Sequence, residues 1–252
     1  MRADKFFAEK FGSRTKAANA INKGLVLVNG KKIVPSNDIS ESDTVEFIDA
    51  DESFVSAGGF KLSKALKEFG FSAKDKVFAD IGASTGGFTD CLIQNGARKV
   101  YCIDVGESQL DKSLLSGKTV VIDNFNARNL NMQLFNENLD GVVIDVSFIS
   151  LTYILKQVSD VIGEGAYVIA LIKPQFECEN RNIGKNGIVK DRKAHEKAIS
   201  KVYDYGLQCN LIPEKITNAP IIQGKNMEYL MLFRKNTGDI LPENNLFKSV
   251  KL

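Results

Sequence analysis

Val77-Phe78-Ala79-Asp80-Ile81-Gly82-Ala83-Ser84-Thr85-Gly86-Gly87-Phe88-Thr89-Asp90 is the stretch that decides the fold. A short apolar run carries an acid at its end, a loop of small residues follows, and a helical pattern begins at Phe88. This reads as a strand, a tight turn where backbone approaches a ligand, and a helix whose free N–H groups face that ligand. Such turns at the edge of an α/β sheet hold nucleotides or molecules built like them.

The spacing of Gly82, Gly86 and Gly87 is not G-x-G-x-x-G, and no Gly-Lys-Ser/Thr follows as in a phosphate-binding loop. An acidic strand end followed by small residues suits a nucleoside without phosphates, such as S-adenosylmethionine. The same residues also suit a strand-to-helix turn that binds nothing.

Working outward, Gly58-Gly59 opens a helical pattern with Leu62, Ala65, Leu66 and Phe69 inward, ended by Gly70. Strands are expected at 99–104, 118–122, 141–145 and 166–173, the last stopped by Pro174, with helices at 152–162 and from Asp191 to Tyr205. Two more strands are expected near 209–216 and 227–233. Strands alternating with helices give a mostly parallel sheet with helices on both faces. Residues 1–48 form a separate small α/β module. There Phe6, Phe7 and Phe11 lie on one helix, and Ser13 caps a second that buries Ala17, Ala18 and Ile21 and ends at Gly24. Leu25–Val28, Asn29-Gly30 and Lys31–Val34 read as a hairpin, and Thr44–Ile48 as a third strand. The expected organisation is a head at 1–48, an acidic linker at 49–57, a main domain at 58–234 and a polar tail at 235–252.

The chain has 252 residues, 44% of them hydrophobic, and no apolar run near the roughly 20 residues of a membrane helix. Its charged N-terminus has no signal-peptide core. Cys91, Cys102, Cys178 and Cys209 form no C-x-x-C pair, and His195 is the only histidine, so a metal site is not expected and a cytoplasmic protein with reduced thiols is. Within residues 1–35, eight Lys or Arg face two Asp or Glu, so the remainder carries −4 within a total of +2. A basic head on an acidic body suits a polyanion. Ser13 to Ala17 and Ile21 to Lys31 resemble the RNA-binding domain first seen in ribosomal protein S-four. That resemblance implies that Arg2, Arg14, Lys16, Lys23, Lys31 and Lys32 meet RNA phosphates.

Ligands of such sheets bind beyond the carboxyl ends of the strands. Asp104, after the second strand, is placed to bind ribose hydroxyls, and Asn124 to Arg128 to flank an adenine. Asp145 and Lys173 end two central strands. Glu228 starts the last strand and shares their edge if that strand is antiparallel, and Lys61 opens the preceding helix. Two lysines and two carboxylates without a histidine or nucleophile elbow suit methyl transfer to a hydroxyl. In that chemistry a lysine, its pKa lowered by burial and a neighbouring lysine, takes the proton or steadies the oxyanion. The same four also suit ion pairs that stitch strand ends together.

Val55 to Leu62, Asp80 to Thr89, Asp145 to Ser150, Leu171 to Glu177 and Asn226 to Leu230 together resemble the TlyA (hemolysin A) family of ribosomal RNA 2′-O-methyltransferases, over roughly residues 1–234. The resemblance implies a seven-stranded, Rossmann-like class I methyltransferase sheet behind a small RNA-binding domain, and methylation of ribose, on cytidine, in ribosomal RNA or ribosomal subunits. It puts the FtsJ-like catalytic set on Lys61, Asp145, Lys173 and Glu228. S-adenosylmethionine is expected against Asp80, Gly82, Ala83, Ser84, Gly86, Gly87, Phe88, Asp104, Asn126, Ala127 and Asp145. One departure is Ala57, where the family usually has arginine. The alternatives are a membrane-active hemolysin, which the absence of a spanning segment opposes, and an RNA-binding scaffold without turnover.

Overall fold

A computed structural model describes residues 1–22, 24–47, 54–179, 182–184, 187–220 and 225–252, with Asn244 described by its backbone alone. Lys23 and most of the expected linker lie outside the described residues. The chain divides into two compact units, one of residues 1–53 with 221–225, the other of residues 54–220 with 226–252.

In the smaller unit, helices α1 (Ala3–Phe6), α2 (Ala8–Phe11) and α3 (Arg14–Asn22) precede strands β1 (Val26–Val28), β2 (Lys31–Lys32) and β3 (Val45–Phe47). The single helix expected around the phenylalanines is broken at Phe7, whose ring is buried and meets Phe47 edge-on at 5.6 Å. Ser13 accepts a hydrogen bond from Lys16 N at 3.2 Å as the cap of α3. Ala17, Ala20 and Ile21 fill the core while Ala18 is half-buried, because positions i, i+3 and i+4 share a helical face and i+1 does not. Asn29 (φ 52°) and Gly30 (φ 70°) form the left-handed pair that turns β1 into β2, and β3 pairs on the other side of β1, antiparallel.

The larger unit holds β4 (Val77–Ile81), β5 (Lys99–Ile103), β6 (Thr119–Ile122), β7 (Gly141–Ile144), β8 (Tyr167–Ile172), β9 (Leu211–Asn218) and β10 (Tyr229–Lys235) in the order β6-β5-β4-β7-β8-β10-β9. The first five are parallel, and β10 runs antiparallel to both neighbours. This is the seven-stranded sheet that the resemblance implies. Alternate strand residues bury opposite faces. Val77, Ala79, Ile81, Ile144 and Ile172 pack with α6 (Leu155–Val161) and α8 (Arg192–Gln208). Phe78, Val100, Val143 and Leu171 pack with α4 (Ala57–Phe69) and α5 (Gly87–Gln94). α4 turns Leu62, Ala65, Leu66 and Phe69 inward and ends at left-handed Gly70, as its pattern predicts. Truncating one of these buried leucines to alanine costs about 2–5 kcal/mol.

Two expectations change. Residues 54–57, read as linker, belong to the larger unit: Phe54 packs edge-on against Phe60 at 5.1 Å, and Val55 N–H donates to Asp90 Oδ2 at 2.8 Å. The polar tail is also part of the fold. Leu246, in the short α9 (Glu243–Leu246), is fully buried, Leu241 N–H donates to Pro213 O, and Asn218 exchanges two side-chain hydrogen bonds with the Lys251 backbone. Leu241, Leu246, Phe247, Val250 and Leu252 pack on the core that includes Leu211 and Ile216, while Ile240 is exposed.

Candidate active site

The turn after β4 is organised from below and from the side. Gly82 N–H and Ala83 N–H both donate to Ile103 O, which ties the turn to the end of β5. Gly82 (φ 81°) lies where a Cβ would sit 2.6 Å from Asp145 O, so only glycine lets the turn pass the end of β7. Asp104 accepts from Ser84 N–H and Gly106 N–H, both at 2.8 Å, one on each carboxylate oxygen. It therefore shapes the loop first and keeps one further acceptor position on each oxygen for a ligand.

An open cavity lies over this turn, lined by Ser56, Gly58, Gly82, Ala83, Ser84, Thr85, Gly87, Phe88, Asp145, Ser147 and Lys173. The structure thus brings together six of the cofactor candidates: Gly82, Ala83, Ser84, Gly87, Phe88 and Asp145. Of the others, Asp104 sits beside the turn through Ser84 N–H, and Asp80, Gly86, Asn126 and Ala127 do not line the cavity. Asp80 is fully buried beneath the turn, where Oδ2 accepts from Thr89 Oγ1 at 2.7 Å and Oδ1 has no partner among the described residues. Burial, with the charges of Asp145 and Asp104 adding to it against the Thr89 hydrogen bonds, pushes its carboxyl up to about 7. Gly86 gives its missing side-chain space to Leu110 and Leu114. Asn126 is used as a cap, accepting from Arg128 N–H at 3.0 Å, and Ala127 packs on the core.

The four charged candidates form two pairs. Lys173 Nζ lies 2.5 Å from Asp145 Oδ1, an ionic contact without the alignment of a hydrogen bond, and donates to Ser147 Oγ at 2.8 Å. Lys61 Nζ donates to Glu228 Oε2 at 2.6 Å. Register explains the convergence. Tyr229 is opposite Ile172 in the antiparallel β10–β8 pair, so Glu228 comes opposite Lys173. Gly58, one helical turn before Lys61, would place a Cβ 3.7 Å from Asp145 Oδ2. Lys173 is 9% exposed.

Sequence reasoning missed Ser56, Thr85, Ser147 and above all Phe148. Phe148 is 92% exposed in a left-handed conformation (φ 65°), its ring 5.3 Å from that of Phe176. The only signal was a large apolar residue in a loop just after a strand end. Ala57 is the exposed first residue of α4.

In the smaller unit, Asp4 accepts hydrogen bonds from both Arg2 and Arg14, and the two guanidinium groups hold its carboxyl well below the usual range. Lys16, Lys31 and Lys32 are exposed, the last two along β2. Among the described residues no group of three His, Cys, Asp or Glu side chains is arranged to hold a metal ion, and no helix is long and apolar enough to cross a membrane.

Comparison with known proteins places this geometry. Residues 54–236 match the family described as FtsJ-like methyltransferase, and residues 1–45 match the S4 domain. The chain is 41% identical over 225 residues to Hemolysin A of Brachyspira hyodysenteriae, covering 88% of this chain and 93% of that one. It is 33% identical over 243 residues to the 16S/23S rRNA (cytidine-2′-O)-methyltransferase TlyA of Mycobacterium tuberculosis, covering 94% and 90%. A hemolysin-named protein of Streptococcus thermophilus has a similar structure, with a TM-score of 0.76 at 34% identity over 99% of this chain and 94% of that one. The chain belongs to the FtsJ-like methyltransferase family and carries an S4 domain ahead of its methyltransferase domain.

Proposed function

We propose that this protein transfers a methyl group from S-adenosylmethionine to a ribose 2′-oxygen of ribosomal RNA, with cytidine as the nucleoside, the reaction named in the Mycobacterium tuberculosis relative. The observation that carries the reading is the Lys173–Asp145 contact in the wall of the cavity over the small-residue turn, with the Lys61–Glu228 pair brought close by the register that sets Glu228 opposite Lys173.

The cavity suits the cofactor. Its floor is backbone and short side chains, and Gly87 and Phe88 open a helix whose N-terminal N–H groups favour a carboxylate such as that of the methionine moiety. Asp145 at the cavity wall and the remaining acceptor positions of Asp104 suit the ammonium and the ribose hydroxyls. When bound, S-adenosylmethionine supplies an electrophilic methyl on a sulfonium. Asp145 and Ser147 orient Lys173 Nζ toward the cavity, where an ammonium steadies negative charge growing on the attacking oxygen. As the free amine, the same nitrogen takes the hydroxyl proton. Glu228 holds Lys61 beside this pair and offsets the second positive charge. Phe148, strained and presented to solvent, offers its face to a base swung out of an RNA stack, with Phe176 behind it. Residues 1–48 dock the RNA through Arg2, Arg14, Lys16, Lys23, Lys31 and Lys32.

The test is incubation of unmodified ribosomal subunits and free ribosomal RNA with methyl-labelled cofactor, followed by mapping of the label. A ribose 2′-O-methyl at one cytidine, absent with Lys173→Ala, is expected. No label in RNA, or label on a base, overturns the reading.

A further inference from the structure

Glu177 is a carboxylate that the methyl-transfer reading does not use, and its side chain is only 1% exposed. It accepts from Ser150 Oγ at 2.5 Å and from Leu151 N–H at 2.7 Å, and forms an ion pair with Lys201 Nζ at 3.1 Å. Lys201, on α8, also donates to Ser150 Oγ and to Glu177 O, both at 3.1 Å. A carboxylate removed from water is costly to the fold, and even with well-placed partners an apolar substitute is often no less stable. Fold stability alone therefore does not account for this group.

Its position in the chain does. Glu177 is the fourth residue after Lys173, and Ser150 the fifth after Asp145. The segments 145–150 and 173–177 leave the parallel neighbours β7 and β8 on the same edge of the sheet. They are joined at three points: by Lys173 to Asp145 and Ser147, by Phe148 against Phe176, and by Glu177 to Ser150 and Leu151. The four-residue helix α7 (Pro174–Glu177) is too short to hold its own course, because a single helical turn does not stabilise itself. The strands anchor one end of the two segments and the buried Glu177 contacts anchor the other, so the course between them is held from both sides.

We propose that Glu177 and Lys201 are positioning residues that set the Asp145–Lys173 contact and the Phe148–Phe176 pair, a role that rests on the methyl-transfer reading. They touch neither cofactor nor RNA. They tie together two loops otherwise joined only through Lys173 and through the Phe148–Phe176 pair, as outer partners orient the groups that do the chemistry.

The experiment compares Glu177→Gln, Lys201→Met and Lys201→Arg with the wild type. Measured are single-turnover methylation of ribosomal RNA, calorimetric binding of S-adenosylhomocysteine, thermal melts, and the ε-carbon NMR signal of Lys173 in 13C-lysine-labelled protein, assigned by its loss in Lys173→Arg. Glu177→Gln and Lys201→Met should lower the methylation rate roughly 10- to 100-fold, the cost of misplacing a reacting group by about an ångström. Cofactor affinity should stay near that of the wild type, and the Lys173 signal should move. Lys201→Arg, which keeps the cation, should restore most of the rate and return the signal. An unmoved Lys173 signal with an unchanged rate overturns the proposal. So does a loss that follows cofactor affinity and melting temperature equally in all three variants. If the wild type transfers no methyl to RNA, the functional reading fails, and the Lys173 signal still decides whether Glu177 and Lys201 govern its surroundings.

Discussion

In the smaller unit one carboxylate, Asp4, is shared by Arg2 and Arg14, while Lys16, Lys31 and Lys32 face solvent. In the larger unit Lys173 of the cavity wall and Lys61 each have their own carboxylate, and Lys173 is nearly enclosed. The difference follows from what each arrangement can do. Exposed cations act additively on a polyanion, and each is replaceable. Enclosed pairs act through geometry, and removal of one partner leaves the other charge buried and alone.

The sharpest break between the two is Lys173→Ala, which should reduce methylation on the order of 10³-fold while cofactor affinity by calorimetry stays within a few-fold. Turnover near the wild-type level would place Lys173 outside the chemistry. Phe148→Ala comes next. Loss of a stacked base is worth about 1–3 kcal/mol, so RNA binding should weaken roughly tenfold or more with no change in cofactor binding. If RNA affinity is unaltered, Phe148 is not the platform. Arg14→Ala with Lys16→Ala should weaken RNA binding modestly and flatten the dependence of log affinity on log salt by about 0.7–0.9 per lost phosphate contact. Complete loss of binding from either one alone would show that the smaller unit also works through irreplaceable contacts.

A further prediction concerns pH. Asp80, with its folded pKa pushed up to about 7 from an ordinary 3.8, keeps its proton in the folded state while the unfolded chain releases it. Stability from this group is therefore intact below about pH 4 and declines up to about pH 7, by at most about 1.4 kcal/mol per unit. Asp4 has the opposite sign: its contribution is present above the ordinary carboxylate range and fades as pH falls toward its depressed folded value. Thermal melts of Asp80→Asn between pH 4.5 and 8 should show a smaller loss toward high pH than the wild type. An identical profile would mean that Asp80 is ionised in the fold.

Periodicity and punctuation carried most of the architecture. Asn29-Gly30, Gly70, Asp191 and Pro174 each mark an element boundary that the structure repeats, because each acts through local backbone chemistry. The antiparallel last strand, on which the position of Glu228 depends, was stated as a condition and is met. Partners were harder to read. Asp80 and Asn126 carry the right functional groups but use them internally, on Thr89 and on Arg128 N–H, and that choice depends on how two loops pack rather than on either loop's own sequence. Phe148 was illegible for the converse reason: a phenylalanine beside a strand end reads as core until its neighbours are known to leave it outside.

The segment after β10, featureless as sequence, has a consequence for self-association. A sheet border normally presents a ladder of open amides and carbonyls on which another copy can extend it. Along β9 the Pro213 carbonyl already receives Leu241 N–H, and the Asn218 side chain binds the Lys251 backbone on both its donor and its acceptor side. Residues 241–251 thus act as a selvedge on that border, and removing them would invite edge-to-edge growth.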